Sequence, residues 1–345
     1  NIVKEELEVI NKKYADDRRT AIENVSGEVD IEDLIPEEEC VLTKTVNGYI
    51  KRLPADTYNV QHRGGRGITG MTTREEDAVE NMFVCSSHDS IMMFTNLGRV
   101  YRIKAYEIPE ATRTAKGTPV VNFLNLLQRE RVTAVIPIKE FAEDKFLIGV
   151  TKHGIIKKTA LSNFDTNRKT GLIAMNLKDG DELIGIKQTT GNNNVIIVTK
   201  HGKCICFSEE DVRPMGRIAG GVRAIKLEKD DEVVSMELVE PGQELLVVTQ
   251  KGFGKRTKVE EYKIQVRGGK GLLTYDKAKF KKTGELIGAI VVDDEDDVML
   301  INSDGIIIRM EAKEISKLGR ATQGVKIMNV KEDTNIISLA KVARQ

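Results

Sequence analysis

The sequence predicts an all-β fold, a propeller of six blades with about four strands per blade, preceded by a short α-helical segment. The first observation is a phrase that recurs six times: an apolar run, a polar turn with glycine, and a second run that is apolar and basic. The second is another glycine, which follows each turn glycine after 17 to 19 residues. The third is an alternating run after each second glycine, typical of two short strands about an acidic turn.

The chain begins with a segment that differs from the repeats. Val3, Leu7, Ile10 and Tyr14 are spaced like the seam of a helix that pairs with another helix, so residues 1–29 are predicted to be the end of a coiled coil. An ordinary amphipathic helix packed on its own domain is the alternative. Because the chain starts at Asn1 within this pattern, we expect it to be a piece of a longer protein. Residues 30–38 read as an acidic linker broken by proline.

Six hairpins follow, and each is expected to form the centre of one blade. They span residues 41–52, 91–104, 146–158, 195–207, 245–256 and 298–309, with turn glycines at Gly48, Gly98, Gly154, Gly202, Gly252 and Gly305. The second glycines are Gly67, Gly117, Gly171, Gly221, Gly271 and Gly324. One blade alone leaves apolar faces uncovered, so neighbouring blades must stack around an axis. We therefore expect one cooperative domain over residues 39–345.

The composition excludes several classes of protein. The chain has 53 basic and 53 acidic residues, so its formal net charge gives no global attraction to nucleic acid or membrane. It contains neither a run of 18 apolar residues nor a secretory start, and we expect a cytosolic protein. The four scattered cysteines fit neither a disulfide framework nor a zinc site, and they are predicted to be reduced core thiols.

The positive charge is concentrated in the hairpins. Five of the six carry a net positive charge although the whole chain is neutral, and acidic runs such as residues 293–297 balance them. Equivalent positions of a repeat lie at equivalent radii, so these cations are predicted to form a belt. With few aromatic residues between them, such a belt suits the backbone of double-stranded DNA better than unstacked bases. A solvated charged face is the alternative.

A glycine-rich motif with cations occurs twice, as QHRGGRG at residues 61–67 and as QVRGGKG at residues 265–271. Paired glycines let an anion approach successive main-chain N–H groups. Arg63 and Arg66 add forked donors suited to phosphate oxygens. The motif contains no nucleophile or base, and phosphate contacts carry no sequence information. It therefore predicts a grip on the DNA backbone.

Two other patterns do not support a site. Gly65, Gly67 and Gly70 match the dinucleotide-binding fingerprint, but the alternation of strands and helices that this fold requires is missing from the sequence. His153 and His201 resemble a metal pair, yet each occupies the same turn of a different unit. They are predicted to be surface turn residues.

The motif QHRGGRG, the six-unit repeat and the phrase KYADDRRTAI at residues 13–22 together resemble the C-terminal domains of bacterial DNA gyrase A subunits. The signature box of that family reads Q-[RK]-R-G-G-[RK]-G, and the likeness extends over essentially the whole chain. His62 departs from the box, because the family usually has a stronger base there. This change would weaken one phosphate contact near neutral pH.

The resemblance implies a β-pinwheel in which neighbouring blades exchange strands and whose outer rim wraps double-stranded DNA without sequence specificity. The chiral wrap would give an ATP-hydrolysing type II topoisomerase its negative supercoiling activity. The catalytic tyrosine and the metal and ATP sites would lie upstream or on the partner subunit. This chain is therefore expected to hold no catalytic residue, metal or cofactor, whereas the holoenzyme would use ATP and Mg²⁺.

The partners implied are double-stranded DNA and, in an A2B2 holoenzyme, the ATPase B subunit together with the remainder of the A subunit. The resemblance implies no membrane and a cytoplasmic, nucleoid-associated location. The residues expected to contact DNA lie in the two boxes, the hairpins and the second unit. They are Gln61, His62, Arg63, Gly64, Gly65, Arg66, Gly67, Lys51, Arg52, Arg99, Arg102, Lys104, Arg113, Lys116, Lys152, Lys157, Lys158, Lys200, Lys203, Lys251, Lys255, Arg256, Arg267 and Lys270. Two alternatives stay open: the C-terminal domain of a topoisomerase IV A-type subunit, and a propeller scaffold for protein partners.

Overall fold

The computed structural model describes residues 2–16, 31–45, 47–54, 79–112, 115–166, 168, 171–304 and 306–342. The chain divides into two compact parts, Asn1–Pro36 and Glu37–Gln345. The first contains helix α1 (Ile2–Tyr14) and a 3-10 turn at Ile31–Leu34. All four apolar side chains of the predicted helical seam are more than half exposed. Among the described residues, no helix is both long and apolar enough to cross a membrane.

The second part, Glu37–Gln345, consists almost entirely of strands, and most of these are six or seven residues long. In the first half these are β1 Glu39–Thr45, β2 Tyr49–Pro54, β3 Val79–Ser86, β4 Ser90–Thr95, β5 Arg99–Lys104, β6 Thr118–Pro119, β7 Val132–Ile138, β8 Phe146–Thr151, β9 Ile155–Ala160, β10 Leu172–Ile173, β11 Leu183–Thr189 and β12 Asn194–Thr199. In the second half they are β13 Lys203–Ser208, β14 Val222–Arg223, β15 Val233–Val239, β16 Glu244–Thr249, β17 Phe253–Lys258, β18 Leu272–Leu273, β19 Leu286–Val292, β20 Asp297–Asn302, β21 Ile307–Glu311, β22 Val325–Lys326 and β23 Ile336–Val342. A one-turn helix, α2 (Phe280–Thr283), precedes β19.

The strands form six antiparallel sheets, one for each unit of the repeat. The first five have four strands each, in the orders β3-β1-β2-β6, β10-β5-β4-β7, β11-β8-β9-β14, β15-β12-β13-β18 and β19-β16-β17-β22. The described part of the sixth holds three strands, in the order β21-β20-β23. The six predicted hairpins are the central pairs of these sheets. The prediction of a six-bladed all-β fold is therefore confirmed.

Each four-stranded sheet takes its last strand from the following unit of the sequence. These exchanged strands are the two-residue strands β6, β10, β14, β18 and β22, and each pairs with the second strand of the preceding hairpin. The strand exchange that the resemblance implies is thus present. The long strands β7, β11, β15, β19 and β23 contact one another in sequence, so they lie nearest the axis. The exchanged strands consequently lie at the outer edge.

The first five hairpin turns follow a Thr-x-x-Gly pattern, and the sixth has Asn302 in place of the threonine. In the fifth sheet the N–H of Gly252 donates to the carbonyl of Thr249 at 3.1 Å, and the Thr249 hydroxyl accepts from the N–H of Phe253 at 3.2 Å. Gly252 has φ of +78°, and a Cβ atom there would collide with the main chain of Met328 in the next unit. Glycine is thus required both for the turn and for the close approach of the next unit.

The core lies between neighbouring sheets. Between the fourth and fifth sheets, for example, Ile196 and Val198 pack with Leu245 and Val247 in one buried cluster. All six residues of β16 are buried because both faces of the sheet are covered. Fully burying each such aliphatic side chain stabilises the fold by about 1.5–3 kcal/mol. This explains why the central strands read as continuous apolar runs.

Candidate nucleic-acid interface

A loop of seven residues precedes each exchanged strand at the outer edge, and we call these segments the outer loops. They span residues 111–117, 165–171, 215–221, 265–271 and 318–324, and each ends in the second glycine of its unit. Residues 113, 114, 167, 169 and 170 lie outside the described residues. The equivalent segment of the first unit, residues 61–67, lies outside them entirely. The expectations for that box and for Arg113 therefore remain predictions.

The second glycine joins each outer loop to the preceding unit. Gly271 has φ of +68°, and a Cβ atom there would collide with the carbonyl of Cys204. The collision would occur because Leu272 and Leu273 pair with Cys204 and Lys203 directly after this glycine. The turn glycines of units two to five likewise approach the following unit, whereas Gly48 has nothing within 4 Å of an added Cβ.

Consecutive outer segments are linked by main-chain hydrogen bonds. The N–H of Lys226 donates to the carbonyl of Gly269 at 2.8 Å. The same relation joins Asn176 to Ala219 and Asp276 to Thr322, each at 3.3 Å. In every case the donor lies five residues after the second glycine and the acceptor lies in the next loop. The outer loops of units three to six are therefore connected along the edge.

Three lysines predicted to contact DNA lie beneath outer loops instead. Lys51, Lys157 and Lys255 each stand three residues after a turn glycine, and each is at most 3% exposed. The Nζ atom of Lys255 donates to the carbonyls of Gly319 at 2.6 Å and of Arg320. Burial lowers the pKa of all three ammonium groups to about 8. They hold main-chain oxygens of the following unit and are not available to phosphate.

The same arrangement repeats for the other two lysines. Lys51 Nζ donates to the carbonyls of Thr112 at 3.2 Å and Ala115 at 3.0 Å. Lys157 Nζ donates to the carbonyl of Ala174 at 2.7 Å and to that of Arg217. Units one, three and five thus place a lysine under the outer loops of units two, four and six.

Two further cations predicted to contact DNA are also buried. Lys158 Nζ donates to the carbonyl of Glu209 at 2.9 Å, and burial lowers the pKa of this lysine. Arg256 is 2% exposed and its Nη1 lies 2.8 Å from the Glu244 carboxylate. The expected DNA contacts of Lys51, Lys157, Lys158, Lys255 and Arg256 stay a prediction, and the structure counts against them because all five side chains are buried. The physical reason is that the next unit covers the second strand of each hairpin.

The other hairpin cations predicted to contact DNA are engaged with neighbouring groups of the protein. Each has a carboxylate or carbonyl partner: Arg52 with Glu110, Arg99 with Glu130, Arg102 with Asp165, Lys104 with the carbonyl of His88, Lys152 with Glu232, Lys200 with Glu285, Lys203 with Glu228, and Lys251 with the carbonyl of Glu332. The partners of Lys152, Lys200 and Lys251 each lie shortly before a long strand of the next unit. Five of these eight contacts, those of Arg52, Arg102, Lys152, Lys200 and Lys251, join neighbouring units.

The second box, residues 265–271, brings several cations together. Arg267 Nε donates to the carbonyl of Asp211 at 2.9 Å and its Nη1 to that of Arg223 at 3.0 Å. The N–H of Gly268 donates to the carbonyl of Ala224 at 2.6 Å. Lys270 is exposed, as are Arg223 and Lys226 beside the loop. Arg267, Lys270, Arg223 and Lys226 thus share one patch, which we call the second-box patch.

Arg223 and Lys226 were not among the predicted site residues. They lie two and five residues after Gly221, so the register of the repeat contained a signal for them. Lys116, which was predicted, is half-buried with Nζ 4.8 Å from the ring centre of Tyr49. The signal for Arg223 and Lys226 lies in and beside an exchanged strand, outside the hairpins where the positive charge is concentrated.

The two turn histidines and the four cysteines lie outside the outer loops. His153 Nδ1 lies 3.6 Å from Asp181, and His201 Nε2 lies 3.3 Å from Glu285, in turns of different sheets. All four cysteines are buried and free. No group of three or more His, Cys, Asp or Glu side chains able to hold a metal ion occurs in the described part of the chain.

The repeat matches a known family unit by unit. The profile described as DNA gyrase C-terminal domain, beta-propeller covers residues 41–86, 89–139, 145–190, 193–240, 243–293 and 296–343. The chain belongs to this DNA gyrase C-terminal domain family. The six matched segments coincide with the six sheets and their hairpins. The family recognised from QHRGGRG is thereby confirmed.

Curated relatives of this gyrase-family chain are DNA gyrase A subunits. The DNA gyrase A subunit of Clostridium acetobutylicum is 53% identical over 341 residues, which are 99% of this chain and 41% of the relative. The corresponding protein of Mycolicibacterium smegmatis is 44% identical over 346 residues, again 99% of this chain and 41% of the relative. The chain therefore spans about two fifths of the length of these relatives.

Two solved structures are similar to the gyrase-family chain over most of its length. The C-terminal domain of a DNA topoisomerase IV gives a TM-score of 0.80 with 26% identity, covering 90% of this chain and 94% of that one. A DNA gyrase A C-terminal domain gives 0.68 with 28% identity, covering 88% and 99%. Both support the same propeller-like arrangement.

Proposed function

We propose that this chain binds double-stranded DNA without sequence preference and wraps it along its outer loops, as the C-terminal domain of a gyrase A subunit. The observation that carries the proposal is the second-box patch, where Arg223, Lys226 and Lys270 are exposed beside a glycine-rich loop. Main-chain links between outer loops give the duplex a continuous edge to follow. Family membership and the names of the relatives add support.

The energetics favour many weak contacts along an edge. Bending 20–30 bp of DNA by 40–90° costs about 1–6 kcal/mol on elastic estimates. Each phosphate that the protein neutralises releases counterions, which offsets this cost. The box at residues 61–67 would hold one part of the duplex, and the box at residues 265–271 would hold another. The wrap would have one hand, so a trapped circle would carry writhe of one sign.

The proposal extends to the longer protein. The whole enzyme would be an ATP-hydrolysing type II topoisomerase of A2B2 composition that uses ATP and Mg²⁺ and acts on DNA in the cytoplasm. The ATPase B subunit, together with the remainder of the A subunit, would then be this chain's partner. In that setting the wrap would present a following DNA segment for negative supercoiling.

A salt titration tests the binding step. The affinity of the chain for a random duplex is expected to fall steeply with salt, with a logarithmic slope near −0.9 for each neutralised phosphate. Replacing Arg223, Lys226 and Lys270 by glutamine should make the slope shallower. The same change at Lys178, Lys229 and Lys331, which are exposed in the turns before long strands, serves as the charge-matched control. A slope close to zero for the unmodified chain would favour the protein scaffold.

A topology assay tests the wrapping step. A nicked circle is sealed by ligase in the presence of the chain, and its linking number is then read on a gel. We expect a shift of one sign that grows with protein concentration. No shift despite salt-dependent binding would contradict wrapping.

Topoisomerase IV is the second candidate, because the higher TM-score belongs to its C-terminal domain. Joining this chain to the remainder of a gyrase A subunit separates the two candidates. A gyrase domain should support negative supercoiling in that setting. A hybrid that relaxes DNA but does not supercoil it would favour the topoisomerase IV assignment.

A further inference from the structure

The third residue of the outer loops is an arginine in units two, four, five and six: Arg113, which lies outside the described residues, and Arg217, Arg267 and Arg320. In unit five the Nη1 atom of Arg267 donates to the carbonyl of Arg223 at 3.0 Å. In unit six the Nη1 atom of Arg320 donates to the carbonyl of Leu273 at 2.9 Å. Both acceptors lie two residues after the second glycine of the preceding unit. One contact between units is therefore made twice.

Arg267 joins two separate segments of the preceding unit. Its Nε atom donates to the carbonyl of Asp211, in a 3-10 turn, while its Nη1 atom reaches the exchanged strand β14. The guanidinium group can do this because its donors form a rigid planar fork. A lysine has a point charge on a flexible stem and cannot reproduce both bonds at fixed geometry.

Lys270 has different surroundings although it belongs to the same box. Its side chain is exposed, and it makes no hydrogen bond or ion pair with the described residues. The two cations of QVRGGKG thus differ in what they contact. Arg267 contacts the protein through two carbonyls, whereas Lys270 faces solvent.

We propose that Arg267 and Arg320 are positioning residues that fix the spacing of successive outer loops, and with it the length of duplex that the edge can hold. Lys270 supplies charge to phosphate. This inference rests on the proposed function, because its consequence for DNA requires that the outer loops carry the duplex. Its structural part, the link between units, does not require DNA.

The test compares Arg267→Lys, Arg267→Gln and Lys270→Gln in the 345-residue chain. Nuclease protection on long DNA measures the wrapped length, and salt titration with a short duplex measures the charge contribution. Arg267→Lys should keep the salt slope but shorten protection by about a third, the share of units five and six among six repeats. Arg267→Gln should shorten it equally. Lys270→Gln should make the slope shallower by about 1 and leave the protected length unchanged.

Hydrogen exchange measured without DNA tests the link between units separately from its effect on DNA wrapping. The N–H of Lys226 bonds to Gly269 beside the arginine, so it should lose protection in both Arg267 variants but not in Lys270→Gln. Unchanged protection in the Arg267 variants would overturn the link. Full-length protection of DNA by Arg267→Lys, with loss only in Arg267→Gln, would show that charge alone matters. A salt slope near zero for the unmodified chain would instead contradict the proposed DNA binding. The hydrogen-exchange result would still test the link between units.

Discussion

Lysines that look alike in the sequence have different surroundings in the folded chain. Lys255 and Lys258 both lie on β17, yet Lys255 is fully buried and Lys258 is exposed. The Lys255 ammonium lies under the outer loop of unit six, where main-chain carbonyls surround it. Hydrogen bonds of this kind are charge-assisted, so they are stronger than neutral ones. The lysine therefore orders a loop that belongs to another unit.

Replacing Lys255 by methionine should destabilise the chain. The change keeps the length of the side chain but leaves the carbonyls of Gly319 and Arg320 without their donor, which costs about 1–3 kcal/mol. The free energy of unfolding, measured by urea titration, should fall accordingly. Lys258→Met on the same strand is the control and should change it little. Equal midpoints for the two variants would contradict the structural role.

The three buried lysines also predict a dependence on pH. Their pKa of about 8 in the folded chain lies below the ordinary value of 10.5. Between these values the unfolded chain binds more protons at these sites, so the free energy of unfolding should rise with pH through this window. Below about pH 8 the lysines should contribute no slope. Cys204 and Tyr275, which face Lys255, have pKa values raised to about 12 by burial and titrate above the window.

The measurement compares the unmodified chain with a variant carrying methionine at Lys51, Lys157 and Lys255. Urea titrations from about pH 7 to pH 10 give the free energy of unfolding for both. The unmodified chain should gain stability relative to the variant as the pH rises. Parallel curves would mean that the ammonium groups do not lose their protons in the folded state.

The exchanged strands show how a two-residue element can organise a sheet. Each is too short to be stable by itself, and the second glycine directly before it lies against the preceding unit. Gly252 brings the turn of unit five against Met328 of unit six, and Gly271 brings the start of β18 against Cys204. These contacts lie at the junction of units rather than within one. A defect there should therefore loosen two sheets together.

Substituting Gly252 by alanine tests this coupling. The matched control is Gly242→Ala, because Gly242 also has positive φ, +89°, but has nothing within 4 Å of the added Cβ. Alanine at either position must adopt a left-handed backbone conformation, which destabilises both variants. The free energy of unfolding should fall by about 1–3 kcal/mol more in Gly252→Ala because of the collision with Met328. Urea titration measures the difference. Equal losses would show that the approach to Met328 relaxes freely.

Over Glu37–Gln345 the sheets follow one another along the chain. Each repeat unit from the second to the sixth supplies one strand to the sheet of the unit before it. The buried cluster between the fifth and sixth sheets contains Leu246 and Val248 from β16 together with Leu300 from β20. The fifth sheet also receives β22 from the sixth unit. Stability should consequently be shared between neighbours, as in other repeat proteins.

Truncating the chain after residue 295 tests whether the stability of the fifth sheet depends on the sixth unit. It lacks β22, so the amides of Phe253 and Gly254 lose their pairing partners, and the apolar face of β16 loses its cover. Hydrogen exchange should accelerate throughout β16 and β17. Strands β4 and β5, three sheets away, serve as the internal reference and should keep their protection. Unchanged exchange in β17 would contradict the sharing of strands.

The sequence alone predicted the six units, their hairpins and the two glycines of each. These features follow from local rules: alternation marks strands, and glycine marks turns with positive φ. The repeat also located the segments that form the outer loops, including QVRGGKG. The family resemblance came from the same local motifs and was confirmed by the family match.

Only the tertiary structure decided which cations are available at the outer edge. Whether Lys51, Lys157 or Lys255 meets solvent depends on a loop more than 55 residues further along the chain. Charge and spacing in a hairpin do not encode that covering, because the sheet is completed by a strand from the next unit. The sequence determined where the repeats and turns lie, and the exchange of strands determined which charges were left facing water.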